Sequence, residues 1–410
     1  MTQNSTRRLV TAWIGVAILA CGVSSYAESG PIEVSEEAAA LHRSCLVIDG
    51  HNDMPWEIRT QGSSDFSRLD IAQPQPSLQT DLPRAREGGL NAQFWSVWVP
   101  ADLDGTGRAL STTLEQIELV GLMLDRYPND MQLALTADDI ERVVGEGKIA
   151  SLIGVEGGHC IEESLGVLRR LHKLGARYMT LTHGDTLSWA DSGTDEARNG
   201  GLTEFGREVV REMNRLGMMV DLSHVSIDVM HQTLDLSTAP VIFSHSSART
   251  VADHPRNVPD DVLVRLKETD GVVMVNFFSA FVVPAAADNY ATQFNLRRQL
   301  VADGVDDAEI RSQVAEWRRK NRMPRGTIHD LLDHIDHIAR VAGPEHIGLG
   351  SDYDGVSVLP EGLEDVASYP RITAGLLMRG YSADDIRGIL GGNLLRVMRK
   401  VEAAATTGNR

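Results

Sequence analysis

Short, β-branched apolar runs recur along this chain, and an unusual number of them end in a histidine or a carboxylate. Four of the thirteen histidines stand just past such a run: His51, His183, His224 and His245. Asp53, Glu156 and Asp352 share that placement. Apolar, β-branched runs of this length suit strands buried on both faces of a parallel sheet. Between them lie helical patterns such as 111–126, 164–174, 203–216 and 259–268, so the chain reads as repeated βα units.

The candidate strands are 46–49, 92–99, 149–155, 178–181, 218–222, 241–243, 272–276 and 347–349. Eight of them predict an α/β fold, a single-domain TIM-type (β/α)8 barrel, with a doubly wound open sheet as the alternative. In a barrel, all the polar strand ends would face one mouth, where chemistry is carried. A helix over 34–43 leads into the first strand. Residues 285–325 form a long insertion of charged helical character, and 382–401 a helical C-terminal part. No low-complexity linker divides the chain, so residues 28–410 are expected to form one barrel domain.

The first 27 residues are of another kind. Arg7 and Arg8 precede the apolar stretch Leu9 to Val23, and Ser25-Tyr26-Ala27 offers small residues for cleavage. This is the pattern of a secretory signal peptide, which predicts an exported and periplasmic protein. Ile18-Leu19-Ala20-Cys21 also fits a lipoprotein-type signal, which would place a lipid anchor on Cys21. Beyond it only Cys45 and Cys160 remain. They fall at opposite ends of their strands, too far apart for a disulfide, so free thiols are expected. The formal charge of −18, with no basic stripe to offset it, argues against nucleic acid as a partner.

Taken singly, each of these histidines is more often a satisfied structural residue than a ligand. Their coincidence at strand ends is what points to a metal. His51 and Asp53, two apart in extended chain, share a face and can chelate one ion. Glu156, with two oxygens, suits a bridge to a second ion completed by His224 and His245, the pattern of a binuclear zinc hydrolase. By contrast His329, His334 and His337 lie off the apolar stripe Ile328, Leu331, Leu332, Ile335 and Ile338, and are expected at the surface. His159, three residues after Glu156, and His254 read as loop residues, with a place in the pocket as the alternative.

These residues stand in motifs that resemble the membrane dipeptidases, peptidase family M19, from about His42 to Val401. The motifs are Asp49-Gly-His-Asn-Asp-Met-Pro-Trp56, Gly154-Val-Glu-Gly-Gly-His159, Leu181-Thr-His183, Val220-Asp-Leu-Ser-His224, Ser244-His-Ser-Ser-Ala248, Arg256-Asn-Val-Pro-Asp-Asp261, Ser351-Asp-Tyr-Asp-Gly355 and Asn393-Leu-Leu-Arg396.

The resemblance implies a zinc-dependent dipeptidase with two Zn2+ ions and dipeptide substrates. His51 and Asp53 would bind one zinc, Glu156 would bridge, and His224 and His245 would hold the other. Asp352 would be the general acid/base and contact substrate. His183 would contact substrate and steady the oxyanion, and Arg256 would grip the C-terminal carboxylate. Asp354, two residues on, competes with Asp352 for its role. Family members tolerate D-residues at the C-terminal position, some open carbapenem-type β-lactams, and relatives often form a homodimer. The mammalian relatives carry a lipid anchor through a removed apolar C-terminal tail. The ending Ala403-Ala-Ala-Thr-Thr-Gly-Asn-Arg410 does not read as such a tail. Two rival readings are an amidohydrolase-type enzyme acting on another amide or lactone, and an exported protein that binds without turnover. The first would bridge its metals with a carbamylated lysine, and Lys148 stands before its strand rather than at its exit.

Overall fold

Eight parallel strands close into a ring. The structure is a computed structural model that describes Met1 and residues 30–405. Pro31–Arg410 is one compact unit. The expected signal peptide and Cys21 lie outside the described residues.

The strands are β1 Ile48–Asn52, β2 Ala92–Trp98, β3 Met131–Leu133, β4 Ile149–Glu156, β5 Ala176–Thr180, β6 Met219–Asp221, β7 Ile242–Phe243, β8 Val272–Val275 and β9 Ile347–Leu349. The ring runs β1-β2-β4-β5-β6-β7-β8-β9 and closes where Asp49 pairs with Leu349. This is a TIM barrel, as the βα alternation predicts. β3 was not foreseen. It pairs only with Ile149, Ala150 and Ser151, alongside the first half of β4, and its three residues are too few to show a period.

All eight expected strands form, with shifted ends. β1 starts two residues later than expected and takes in His51, and β4 runs on to include Glu156. Because successive side chains alternate between faces, Glu156 continues the row Ala150, Leu152 and Gly154. Gly154 must be glycine: a Cβ there would run into the ring of Tyr178. That ring packs among the inner residues Ile48, Phe94, Leu152 and Met274. The pairing of β1 with β2 slips by one residue between Asp49 and Asn52, a bulge of the kind that re-aims side chains beside a site.

The opposite mouth is stoppered. Leu394, Val397, Met398 and Val401 of the C-terminal helix Asn393–Ala404 join the inner cluster. Asn393 Nδ2 donates to the carbonyls of Pro344 and Ile347, both at 2.8 Å, fixing that helix under the start of β9. The outer helices begin where side-chain caps satisfy free backbone N–H groups. Thr203 caps Glu204–Leu216, Ser226 caps Ile227–Leu236, and Thr327 with Asp330 forms a capping box on Ile328–Val341. The insertion folds as two helices, Pro284–Ala302 and Asp307–Lys320.

One surface expectation is corrected here. His334 and His337 are buried, at 0% and 7% exposure, and His329 is half-buried. Their helix packs against Asp260–Glu268, Tyr369–Met378 and β8 at once, so its buried arc is wider than its apolar stripe. His334 accepts from the Ala248 N–H at 2.9 Å and donates to the Val282 carbonyl at 3.0 Å. His337 pairs with Asp260 at 2.7 Å. Cys45 and Cys160 are buried free thiols, as expected.

Candidate metal centre

At the C-terminal mouth of the barrel, the residues singled out in the sequence converge. Three overlapping groups each bring donor atoms within 4.8 Å of one another: His51, Glu156 and His245; Glu156, His183 and His224; His51, Asp53 and Asp352. Glu156 belongs to two of them. Its Oε2 lies 3.4 Å from His51 Nε2, while its Oε1 lies 2.9 Å from His224 Nε2 and 3.3 Å from His245 Nε2. The carboxylate therefore faces a different imidazole set with each oxygen, as a bridging ligand must.

The donor chemistry fits metal ions. His51 Nε2 is buried with no hydrogen-bond partner, yet it lies 3.3 Å from Asp53 Oδ2. The Nε2 atoms of His224 and His245 are 3.0 Å apart, close enough for one ion to be held by both. A cation there satisfies both.

Neighbouring groups fix which nitrogen carries the proton. The Tyr178 hydroxyl donates to the Gly50 carbonyl at 3.2 Å, so it accepts from His51 Nδ1–H at 2.8 Å. Ser244 Oγ donates to Asp221 Oδ2 at 2.6 Å and so accepts from His245 Nδ1–H at 2.7 Å. In His245, which burial keeps neutral, Nε2 keeps its lone pair for the mouth, the usual arrangement behind a metal-bound histidine; in His51 the proton on Nδ1 is fixed and Nε2 faces the two carboxylates. Asp221 is anchored in turn by the backbone N–H groups of Ser223 and Ser244 and by Thr180. Asp49 plays the matching part beneath His51, accepting from the N–H groups of His51 and Ser351.

Tyr178, Asp49, Asp221 and Ser244 were not picked out as site residues in the sequence. A signal was there: Asp49-Gly-His51 and Asp221-Leu-Ser-His224 each place a carboxylate inside an apolar strand, where only a hydrogen-bonded role tolerates it.

The protonation states of His224, His245 and Glu156 agree with ligand roles. Burial, followed by nearby positive charge, holds His224 and His245 well below the usual histidine value, so both are neutral. Burial acts to raise the Glu156 carboxyl, but the positive charge of His51 and the close contacts with His224 and His245 outweigh it and keep it ionised. His51 is itself held well above the usual histidine value, against its burial, by Tyr178, Glu156 and Asp53, so its Nε2 carries a proton that a metal ion would replace. Neutral imidazole and ionised carboxylate are the metal-binding forms.

Asp352 and Asp354 separate clearly. Asp352 stands with His51 and Asp53, and its Oδ2 accepts from Asn276 Nδ2 at 2.9 Å. Burial, with Asp53 and Glu156 beside it, pushes its carboxyl up to about 8. Cations in the site would draw that value down. Asp354 Oδ1 instead accepts from the Gln79 N–H at 2.6 Å, outside all three donor groups. His224 and Asp352 both hold positive φ, 71° and 62°. For side-chain-bearing residues that is strain of about 1–3 kcal/mol each, of the kind that gathers at functional sites.

Apart from His51, the donors line a cavity of about 380 Å³ together with Asp354, Trp56, Trp98, Arg256 and Tyr290. His183 stands at its wall, its Nε2 3.9 Å from Glu156 Oε1, its side chain 26% exposed. Arg256 is buried, with Nη1 3.3 Å from Ser246 Oγ and Nη2 3.3 Å from the His245 carbonyl. It has no carboxylate partner among the described residues. His159 and His254 are buried beside the cavity rather than in open loops. His159 donates to the Val99 carbonyl, and His254 Nδ1 accepts from the Arg256 N–H. Lys148 bonds Gln132 at the start of β4, away from the mouth, so a lysine does not bridge this site.

The model of the membrane dipeptidase family, peptidase family M19, matches residues 35–410. An uncharacterized dipeptidase of Schizosaccharomyces pombe is 42% identical over 369 residues, 87% of this chain and 81% of that protein. Dipeptidase 3 of Mus musculus is 40% identical over 372 residues, 90% of this chain and 66% of its own length. Among solved structures, the probable dipeptidase PvdM from Pseudomonas aeruginosa superposes with a TM-score of 0.80 at 25% identity, covering 90% of this chain and 98% of that one. A metallo peptidase from Rhodobacter sphaeroides, liganded with a phosphinate mimic of the dipeptide L-Ala-D-Ala, has the same fold: TM-score 0.72, 23% identity, 87% and 99% covered.

Proposed function

The chain belongs to the membrane dipeptidase family, peptidase family M19, and is a metallo-dipeptidase; from that premise we propose that it is an exported enzyme that uses two zinc ions to hydrolyse dipeptides. The observation that carries the proposal is the split carboxylate of Glu156, one oxygen toward His51 and the other toward His224 and His245. In this reading His51 and Asp53 hold one zinc, His224 and His245 the other, and Glu156 bridges. Zinc bound there supplies Lewis acidity and lowers the pKa of water.

The remaining work belongs to the chain's own side chains. Arg256 pairs with the free C-terminal carboxylate of the substrate through a fork of N–H donors, which ties the cavity to short peptides. His183 donates to the carbonyl oxygen as charge develops on it. Asp352 Oδ1 takes the proton released by the attacking water and returns it to the departing nitrogen, while Asn276 holds Oδ2 in place. A D-residue at the C-terminal position and carbapenem-type β-lactams are proposed further substrates. Export to the periplasm rests on the 1–27 pattern and lipidation on Cys21. Homodimer formation rests on the family resemblance alone.

The test joins metal analysis to hydrolysis of a panel with L-L, L-D and carboxyl-blocked dipeptides. The proposal expects about two zinc per chain, cleavage of both free series, and loss of cleavage on blocking the carboxylate. Equal cleavage of blocked and free substrates would remove the role given to Arg256. Metal binding with no turnover of any dipeptide would favour the binding-protein reading. Mass spectrometry of the exported form separates cleavage near Ala27 from lipidation at Cys21.

A further inference from the structure

The insertion places a second cationic wall beside the metal centre. The cavity that begins at His183, His224 and Arg256 widens to about 1000 Å³ under the helix Pro284–Ala302, where Arg297 and Arg318 line it. Neither has a carboxylate partner among the described residues. Arg318 Nε donates instead to the neutral Gln293 side chain at 2.7 Å. In a chain with 57 acids against 39 bases, unpaired guanidinium groups around one cavity need a reason. The segment 284–325 itself carries eight Lys and Arg against six Asp and Glu, opposite in sign to the whole.

The arrangement is held in place. Arg298 reaches from the same helix to Glu196 on the loop after β5, Nη2 to Oε1 at 3.2 Å, and so ties the insertion across the mouth. Asp195 on that loop is paired with Arg198 at 3.0 Å. Asp185 is then the one acid lining this cavity without a cation partner among the described residues, against Arg256, Arg297 and Arg318. Tyr290 lies where the three guanidiniums meet and also lines the metal cavity. Burial raises its hydroxyl pKa, and the charges of Arg256, Arg318 and Arg297 pull the other way.

We propose that the preferred substrates carry a second negative charge, on the side chain of the C-terminal residue, held by Arg297 and Arg318 beside Tyr290. This rests on the dipeptidase reading: Arg256 lines both the metal cavity and the wider cavity under the insertion, so with the terminal carboxylate on Arg256 the side chain of that same residue has room to extend toward Arg297 and Arg318. A guanidinium pairs with a carboxylate by charge-assisted hydrogen bonds that a neutral amide of equal shape cannot match. One such pair corresponds to about a tenfold preference.

The experiment compares kcat/KM for Ala-Glu with Ala-Gln, and for Glu-Ala with Gln-Ala, using the zinc-loaded enzyme. The expected result is about tenfold favour for Ala-Glu over Ala-Gln, expressed in KM and shrinking as salt is raised. No comparable favour should appear for Glu-Ala over Gln-Ala. In Arg297→Gln and Arg318→Gln, both surface-accessible positions, and in the double variant, the Glu/Gln ratio should fall toward one. Circular dichroism verifies that each variant is folded. Equal rates for Ala-Glu and Ala-Gln, a ratio untouched in the folded double variant, or a preference at the N-terminal residue would each overturn the inference while the dipeptidase reading stands. Failure to cleave any dipeptide would remove that reading and this inference with it.

Discussion

Tyr178 accepts the Nδ1–H of His51 at 2.8 Å and thereby leaves Nε2 to face Asp53 and Glu156. The tyrosine reaches that position because Gly154 leaves room for its ring. A residue of one strand thus sets the tautomer of a ligand on another. Removing only the hydroxyl, Tyr178→Phe, should weaken metal affinity by about 10- to 100-fold while the packing of the ring is retained. Competition with a chelator measures it. Unchanged affinity would mean that the tautomer is set elsewhere.

Asp352 belongs to one of the three donor groups, but the proposed mechanism gives it the proton and leaves the metals to the other residues. Asp352→Asn preserves shape and leaves an oxygen to accept from Asn276. Turnover should fall by about 10²–10⁴ while zinc content stays at the wild-type level. Atomic absorption beside a dipeptide assay reads both quantities. Full activity in a zinc-loaded variant would transfer the role to another group.

Gly355 is a less obvious participant. A Cβ at this position would press into Asp53 Oδ2 and Asp352 Oδ1, well inside contact distance. Those two oxygens belong to a candidate ligand and to the proposed proton carrier, so neither can give way freely. Gly355→Ala should cost about 100-fold in kcat/KM, as displacements near 1 Å do, with little change in thermal unfolding. A loss confined to stability would show that the glycine serves the fold alone.

The ring of strands was legible because parallel strands buried on both faces are continuous apolar runs, and the polar residues at their ends marked the mouth. Ile149–Glu156 and Ile347–Leu349 show this most plainly. Less legible was whatever depends on contacts between distant segments. The burial of His334 follows from three neighbours packing on one helix, which a single amphipathic stripe does not display. Tyr178, Asp221 and Ser244 look like ordinary strand residues until β5, β6 and β7 stand side by side and the closed ring brings β1 across from them. The choice between Asp352 and Asp354 turned on which of them the Gln79 N–H claims.

His334 yields a pH dependence that does not involve the metal site. Burial drives its pKa down to about 4, against 6.5 for an unperturbed histidine. The folded chain keeps the ring neutral, with Nδ1 accepting from Ala248 and Nε2 donating to Val282. As pH falls below about 6.5, the unfolded chain binds the proton first, so stability must drop. The contribution is fully present above 6.5 and is lost progressively until the folded value near 4 is passed. The gap corresponds to about 2 kcal/mol lost between about pH 8 and pH 5, approaching 3 kcal/mol at lower pH. Urea unfolding of the chelator-treated protein across that range measures it. His334→Gln should be less stable at pH 8 but show a shallower slope by about 2 kcal/mol, since nothing at that position then titrates. A variant slope as steep as wild type would assign the acid sensitivity to the buried His254 or the half-buried His172, whose values burial also lowers to about 3 and about 4.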